Sequence, residues 1–169
     1  MDNTDGIKRA DRHDGQRKKI IVVDDVRFML LRIRESLKGS YDIFSAQSAE
    51  KLFEFLETVT PDLILLDMHM PDVDGFEIIA RLKADARYAE IPVIFLTGKN
   101  DRKSVVRGMS LGAVDVAFKP ITDQKLVERI ELQLNPDMRD KKKPIVLAVD
   151  DSLSVLNSIR YVLNVDYKA

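Results

Sequence analysis

The chain has 169 residues, enough for one ordinary domain and a remainder too short to build a second. Lys and Arg total 27 against 28 Asp and Glu, a net charge of -1, so no broad basic field draws in nucleic acid or an anionic membrane, and neither partner is expected. Cysteine is absent, which removes disulfides, thiolate zinc sites and cysteine nucleophiles and suits a cytoplasmic location; apolar runs such as DLILLD at 62–67 fall far short of the roughly 20 residues that cross a bilayer.

Residues 1–17 are charged, carry two glycines and offer almost nothing apolar to bury, which predicts a mobile tail. The run IIVV at 20–23 ends in Asp24 and Asp25 and reads as a strand. Val26, Met29, Leu30, Ile33 and Leu37 then recur at helical spacing, with Gly39 expected as a left-handed cap. Tyr41 to Ser45 predicts a second strand, and Ser48 is a good N-cap for a helix through Leu52, Phe55 and Leu56 that Thr60-Pro61 ends. Leu63 to Leu66 lacks polar alternation, as a parallel strand covered on both faces should. Pro71 and Gly75 mark a loop before a helix over 76–84, and Pro92 to Leu96 is a fourth buried strand. A helix over 101–109, a turn around Gly112, a strand over 114–118 and a helix over 122–134 complete the pattern. Strands alternating with helices in this way predict an α/β fold: a doubly wound, five-stranded parallel sheet with five helices, right-handed crossovers and functional groups at the carboxyl ends of the strands.

The remainder carries an internal repeat. VLAVDDSLSVLNSIRYVL from Val146 aligns with IIVVDDVRFMLLRIRESL from Ile20 at a constant offset of 126, the distance from Asp24 to Asp150. The reading is a domain over 18–135, a linker over 136–143, and at 144–169 the first strand and helix of a second copy. Asp150 and Asp151 repeat the acidic pair but lack partners for a site. A first strand with both edges unpaired seeks a partner: the segment is expected to be the cut end of a longer protein, with docking on the first domain or exchange between chains as the alternatives.

The chemistry gathers at strand ends. Asp24, Asp25 and Asp67 close the first and third strands, which are neighbours in a sheet of order 2-1-3-4-5 and so converge on the crevice where that order reverses. Like-charged pairs about 4 Å apart cost about 4 kcal/mol each at an effective dielectric near 20, and a hard divalent cation relieves that cost; oxygen ligands without sulfur suit Mg2+. Thr97 ends the fourth strand and Lys119 the fifth, adding a hydroxyl and a cation at the same rim. An aspartate beside a metal, with both groups placed to hold spare oxygens, is what accepting a phosphoryl group requires.

The pair in IIVVDD, the segment LILLDMHMPDVDGFE, the FLTG stretch and GAVDVAFKP together resemble the receiver domain of two-component response regulators, CheY-like and flavodoxin-like in fold, across about 20–134. The resemblance implies Asp67 as phosphoacceptor and Mg2+ bound by Asp25 directly, by Asp24 through water and by the backbone carbonyl of His69. Thr97 and Lys119 would hold phosphoryl oxygens. A histidine kinase, a phosphotransfer protein or a small acyl phosphate is the implied donor. The chain would be a regulatory phosphoacceptor, not an enzyme beyond self-phosphorylation and slow dephosphorylation, within a longer tandem-receiver regulator. It also implies a surface on the fourth helix, fifth strand and fifth helix that changes on phosphorylation and offers a route to a homodimer. One position departs from the family: Val116 stands three before the KP lysine, where an aromatic switch residue is usual. Phe118 alternates to the face opposite Lys119 and is not assigned that role.

Plainer readings compete at each position. Asp24 and Asp25 suit the start of a helix, Lys119 suits a surface turn, and the His69 side chain suits a solvent-facing loop. Two rival functions remain open at this point. One is a phosphorylation-independent receiver-like interaction domain, for which Val116 speaks; the other is a haloacid-dehalogenase-like phosphatase, disfavoured because Asp24 and Asp25 are adjacent rather than alternating.

Overall fold

The computed structural model describes residues 17–71, 73–98 and 102–135. Residues 1–16 of the expected tail over 1–17, the linker and the second-copy segment at 144–169 lie outside the described residues. The elements are β1 (Lys19–Val23), α1 (Arg27–Leu37), β2 (Asp42–Ala46), α2 (Ala49–Leu56), β3 (Leu63–Asp67), α3 (Gly75–Ala84), β4 (Val93–Thr97), α4 (Arg102–Ser110), β5 (Asp115–Phe118) and α5 (Asp123–Leu134). All four strand pairings are parallel and the order is β2-β1-β3-β4-β5, as the alternation of elements predicts.

Every residue of β3 and β4 is buried, which explains why these strands read as unbroken apolar runs. Successive side chains go to opposite faces. Ile21, Ile64, Leu66, Phe95 and Val116 meet α2 and α3 on one face, where Leu52, Phe76, Ile79 and Leu82 cover them. Ile20, Leu63, Leu65, Ile94 and Ala117 meet α1 and α5 on the other, under Leu30, Ile33, Leu37, Leu126 and Ile130.

Side chains fix several helix starts. Ser48 accepts the Lys51 N–H, Asp74 accepts the Phe76 N–H and Thr122 accepts the Lys125 N–H, each satisfying an otherwise orphaned donor. Arg17, the last position of the expected tail, donates to the carbonyls of Lys38 and Tyr41, and the Tyr41 hydroxyl bonds Glu131 of α5. Among the described residues no helix is long and apolar enough to cross a membrane.

One local expectation is corrected. Gly39 is not a left-handed cap: α1 ends on Lys38 in right-handed geometry, and among the described residues the glycine with positive φ is Gly112, at +96°. Gly112 donates to Met109 and Ala113 to Gly108, closing α4 with the paired hydrogen bonds of a left-handed glycine terminus. α1 needs no such device, because Ser40 and Tyr41 both turn back onto the Leu37 carbonyl.

Candidate functional site

The carboxyl ends of β1, β3, β4 and β5 deliver five polar side chains to one rim. Asp24 follows β1 and is fully buried. One carboxylate oxygen accepts the Val26 N–H at 2.9 Å, so it also steadies the entry to α1, and the other takes the Lys119 ammonium at 2.6 Å. Asp67 ends β3 and is buried; its Oδ2 lies 3.0 Å from Lys119 Nζ and its Oδ1 accepts the His69 N–H at 3.3 Å. Asp25 is partly buried and completes an acidic cluster: one ligand atom each from Asp24, Asp25 and Asp67 lies within 4.8 Å of the others. Thr97 is fully buried at the end of β4, and its carbonyl accepts the Lys119 N–H at 2.7 Å, stitching the β4 and β5 ends together where both functional residues leave the sheet. The Lys119–Pro120 peptide bond is cis.

Electrostatics follow from this crowding. Burial pushes the Asp67 carboxyl above the usual range; the hydrogen bond and charge of Lys119 oppose that push without cancelling it, and Asp24 adds to it. Burial pulls the Lys119 ammonium down, but its hydrogen bonds to Asp24 and Asp67 outweigh burial, and the net direction is upward. Ionised carboxylates at these separations repel by about 3 to 4 kcal/mol per pair at an effective dielectric near 20, and Lys119 offsets that repulsion at Asp24 and Asp67, the two acids its ammonium bridges. All the side-chain donors of the cluster are hard oxygens, so its chemistry fits Mg2+.

His69 is exposed, with its ring edge-on to Phe76 at 6.4 Å between centroids. Val116 is buried beside Phe95, its register partner in β4, whereas Phe118 is 38% exposed. Gly75, read from sequence only as a loop residue, has a tighter role: a Cβ there would sit 2.5 Å from the Asp67 carbonyl oxygen, so α3 begins in contact with the backbone of the central aspartate. Sequence offered one signal for this, a glycine directly after the Asp74 cap. It offered none for Arg107, whose guanidinium lies 4.3 Å from the Phe76 ring centroid.

Comparison with known proteins agrees with this geometry. Residues 20–131 match the response regulator receiver domain. The chain is 36% identical over 134 residues to a probable cyclic di-GMP phosphodiesterase of Vibrio cholerae, covering 79% of this chain and 30% of that protein. It is 33% identical over 118 residues to the phosphate regulon transcriptional regulatory protein PhoB of Pseudomonas aeruginosa, covering 69% and 52%. The chain thus spans about half or less of these curated relatives. Among solved structures, the BeF3-activated receiver domain of DrrB from Thermotoga maritima is 29% identical with a TM-score of 0.64, covering 70% of this chain and 98% of that one. Receiver domains are regulatory modules that bind Mg2+ at an acidic pocket and interact with histidine kinases or phosphotransfer proteins, which sets the phosphatase reading aside. With the strand order, the strand-end acids and the match in accord, the chain belongs to the response regulator receiver domain family of two-component signalling.

Proposed function

We propose that this receiver accepts a phosphoryl group on Asp67 and relays it as a conformational signal. The observation that carries the reading is the Lys119 ammonium held between buried Asp24 and Asp67, with Asp25 completing a carboxylate cluster beside it. A Asp67 carboxylate oxygen attacks phosphorus of a phosphohistidine or acyl phosphate; the new O–P bond forms as the donor's N–P or O–P bond breaks, and the electron pair leaves with imidazole or carboxylate. Burial disfavours the charged Asp67 carboxylate, and a carboxylate of raised basicity is the better nucleophile. Lys119 and the Thr97 hydroxyl receive phosphoryl oxygens as negative charge accumulates there. Asp24, Asp25, Asp67 and the His69 backbone carbonyl would hold Mg2+, which supplies charge neutralisation to the transferring oxygens when bound.

The donor is a histidine kinase, a phosphotransfer protein or a small acyl phosphate. The repeat beginning at Val146 supports placing the domain in a longer tandem-receiver regulator. Exposed Val106, Met109 and Phe118 on α4 and β5 support self-association through α4, β5 and α5; exchange of the segment at 144–169 is the alternative route. Comparing the solution mass of the full chain with that of a chain ending at Asp137 separates these routes.

Intact mass after incubation with acetyl phosphate and Mg2+ tests the chemistry. A single phosphoryl adduct that requires Mg2+ and disappears in Asp67→Ala is expected. A folded, Mg2+-binding chain that takes no adduct would instead be a phosphorylation-independent interaction domain, the reading that Val116 favours.

A further inference from the structure

α4 is held to the rest of the domain by few apolar contacts. Gly108 is buried, Ser104 and Val105 are half-buried, and Lys103, Val106, Arg107, Met109 and Ser110 are exposed. An element with so little buried surface lies at the low-stability end of a fold and moves first when its ties change. Two of its ties lead toward Asp67. A Cβ on Gly108 would lie 3.0 Å from the Phe95 ring and 3.7 Å from Met68 Cε, so the α4 backbone rests directly on residues flanking the site. The Arg107 guanidinium caps the Phe76 ring at 4.3 Å, and Phe76 packs edge-to-face on Phe95 at 5.6 Å. Phe76 follows Gly75, which touches the Asp67 carbonyl, and Phe95 stands two residues before Thr97. Val116, facing the same cluster, has no ring with which to report a change at Thr97 to α4.

We infer that Arg107 stacked on Phe76 is a latch: it positions α4 against the β3–α3 corner while Lys119 neutralises a free Asp67 carboxylate, and α4 gives the contact up when Asp67 carries a phosphoryl group. The inference rests on the proposed role of Asp67. Arg107 touches no reacting atom, so it is a positioning residue. Because the contact belongs to one arrangement and not the other, linkage requires that weakening it favours the phosphorylated arrangement and tightens the binding of a phosphoryl mimic.

The test is a beryllofluoride titration of the full chain with Mg2+, read by the amide resonances of Val105 to Met109, for the native chain, Arg107→Gln and Arg107→Lys. Loss of an exposed cation–π contact should lower the midpoint for Arg107→Gln about twofold to fivefold. Before any beryllofluoride is added, its α4 amide resonances should already lie part of the way toward the native endpoint. Arg107→Lys, which keeps a cation, should stay near the native values. An unchanged or raised midpoint in Arg107→Gln would overturn the latch, including a case in which stability alone falls. A native chain that takes no acetyl phosphate adduct on Asp67 would overturn the reading beneath it, and the latch with it.

Discussion

Three acids and one lysine set the balance of the site, and each acid is balanced differently. Asp67 binds its proton more tightly in the folded chain than in the unfolded one, because burial outweighs the help of Lys119. A carboxyl raised in this way contributes stability that is present below its unfolded value, and that contribution is lost as pH rises through the folded value. In EDTA, native stability should therefore fall over that acidic window relative to Asp67→Asn, whose amide does not titrate; urea unfolding from pH 3 upward measures the difference, and parallel curves would count against the assignment. Lys119→Met removes the shared counter-charge from two buried acids. It should cost about 2 to 4 kcal/mol in urea at pH 7, and less than that when Asp67→Asn is already present, because one of the stranded charges is then gone.

Helices and strands place those residues, and the glycines show where placement depends on backbone. Gly75→Ala would force a methyl to within 2.5 Å of the Asp67 carbonyl, so α3 or the end of β3 must shift; a loss of about 1 to 3 kcal/mol by urea and a slower Asp67 adduct by intact mass are expected. Gly112→Ala should cost about 1 to 2 kcal/mol, since its φ of +96° is unfavourable for a residue with a Cβ, whereas Gly39→Ala, with nothing within 4 Å, should be neutral or slightly stabilising. The contrast between the two glycines marks what sequence conveys. Both follow amphipathic helices, so local pattern alone could not say which one turns left-handed; that depends on how each chain segment leaves its helix for the next strand. The strands were legible because burial on both faces demands continuous apolar residues, and Ser48 was legible as a cap because one side-chain oxygen satisfies a local donor. Phe76 and Arg107 are 31 positions apart and meet only after α3 and α4 have packed, and no periodicity within either helix announces that contact.

Across the whole molecule, the site exists only when the sheet does. Asp24, Asp67, Thr97 and Lys119 come from four strands that are adjacent in space but spread over nearly a hundred residues of sequence, so unfolding disperses the cluster completely. A cation that binds the assembled cluster and not the dispersed residues must then stabilise the entire domain, by about 2.7 kcal/mol when its concentration is a hundredfold above Kd. Mg2+ is accordingly expected to raise the urea midpoint of the native chain in proportion to the logarithm of its concentration. Asp25 separates this effect from general screening. Lys119 bridges the other two acids of the cluster and Asp25 is only partly buried, so Asp25→Asn should leave metal-free stability nearly unchanged while removing most of the Mg2+ response. An equal rise for both chains would mean that Mg2+ acts on surface charge, and the three strand-end carboxylates would then be a structural cluster instead of a metal centre.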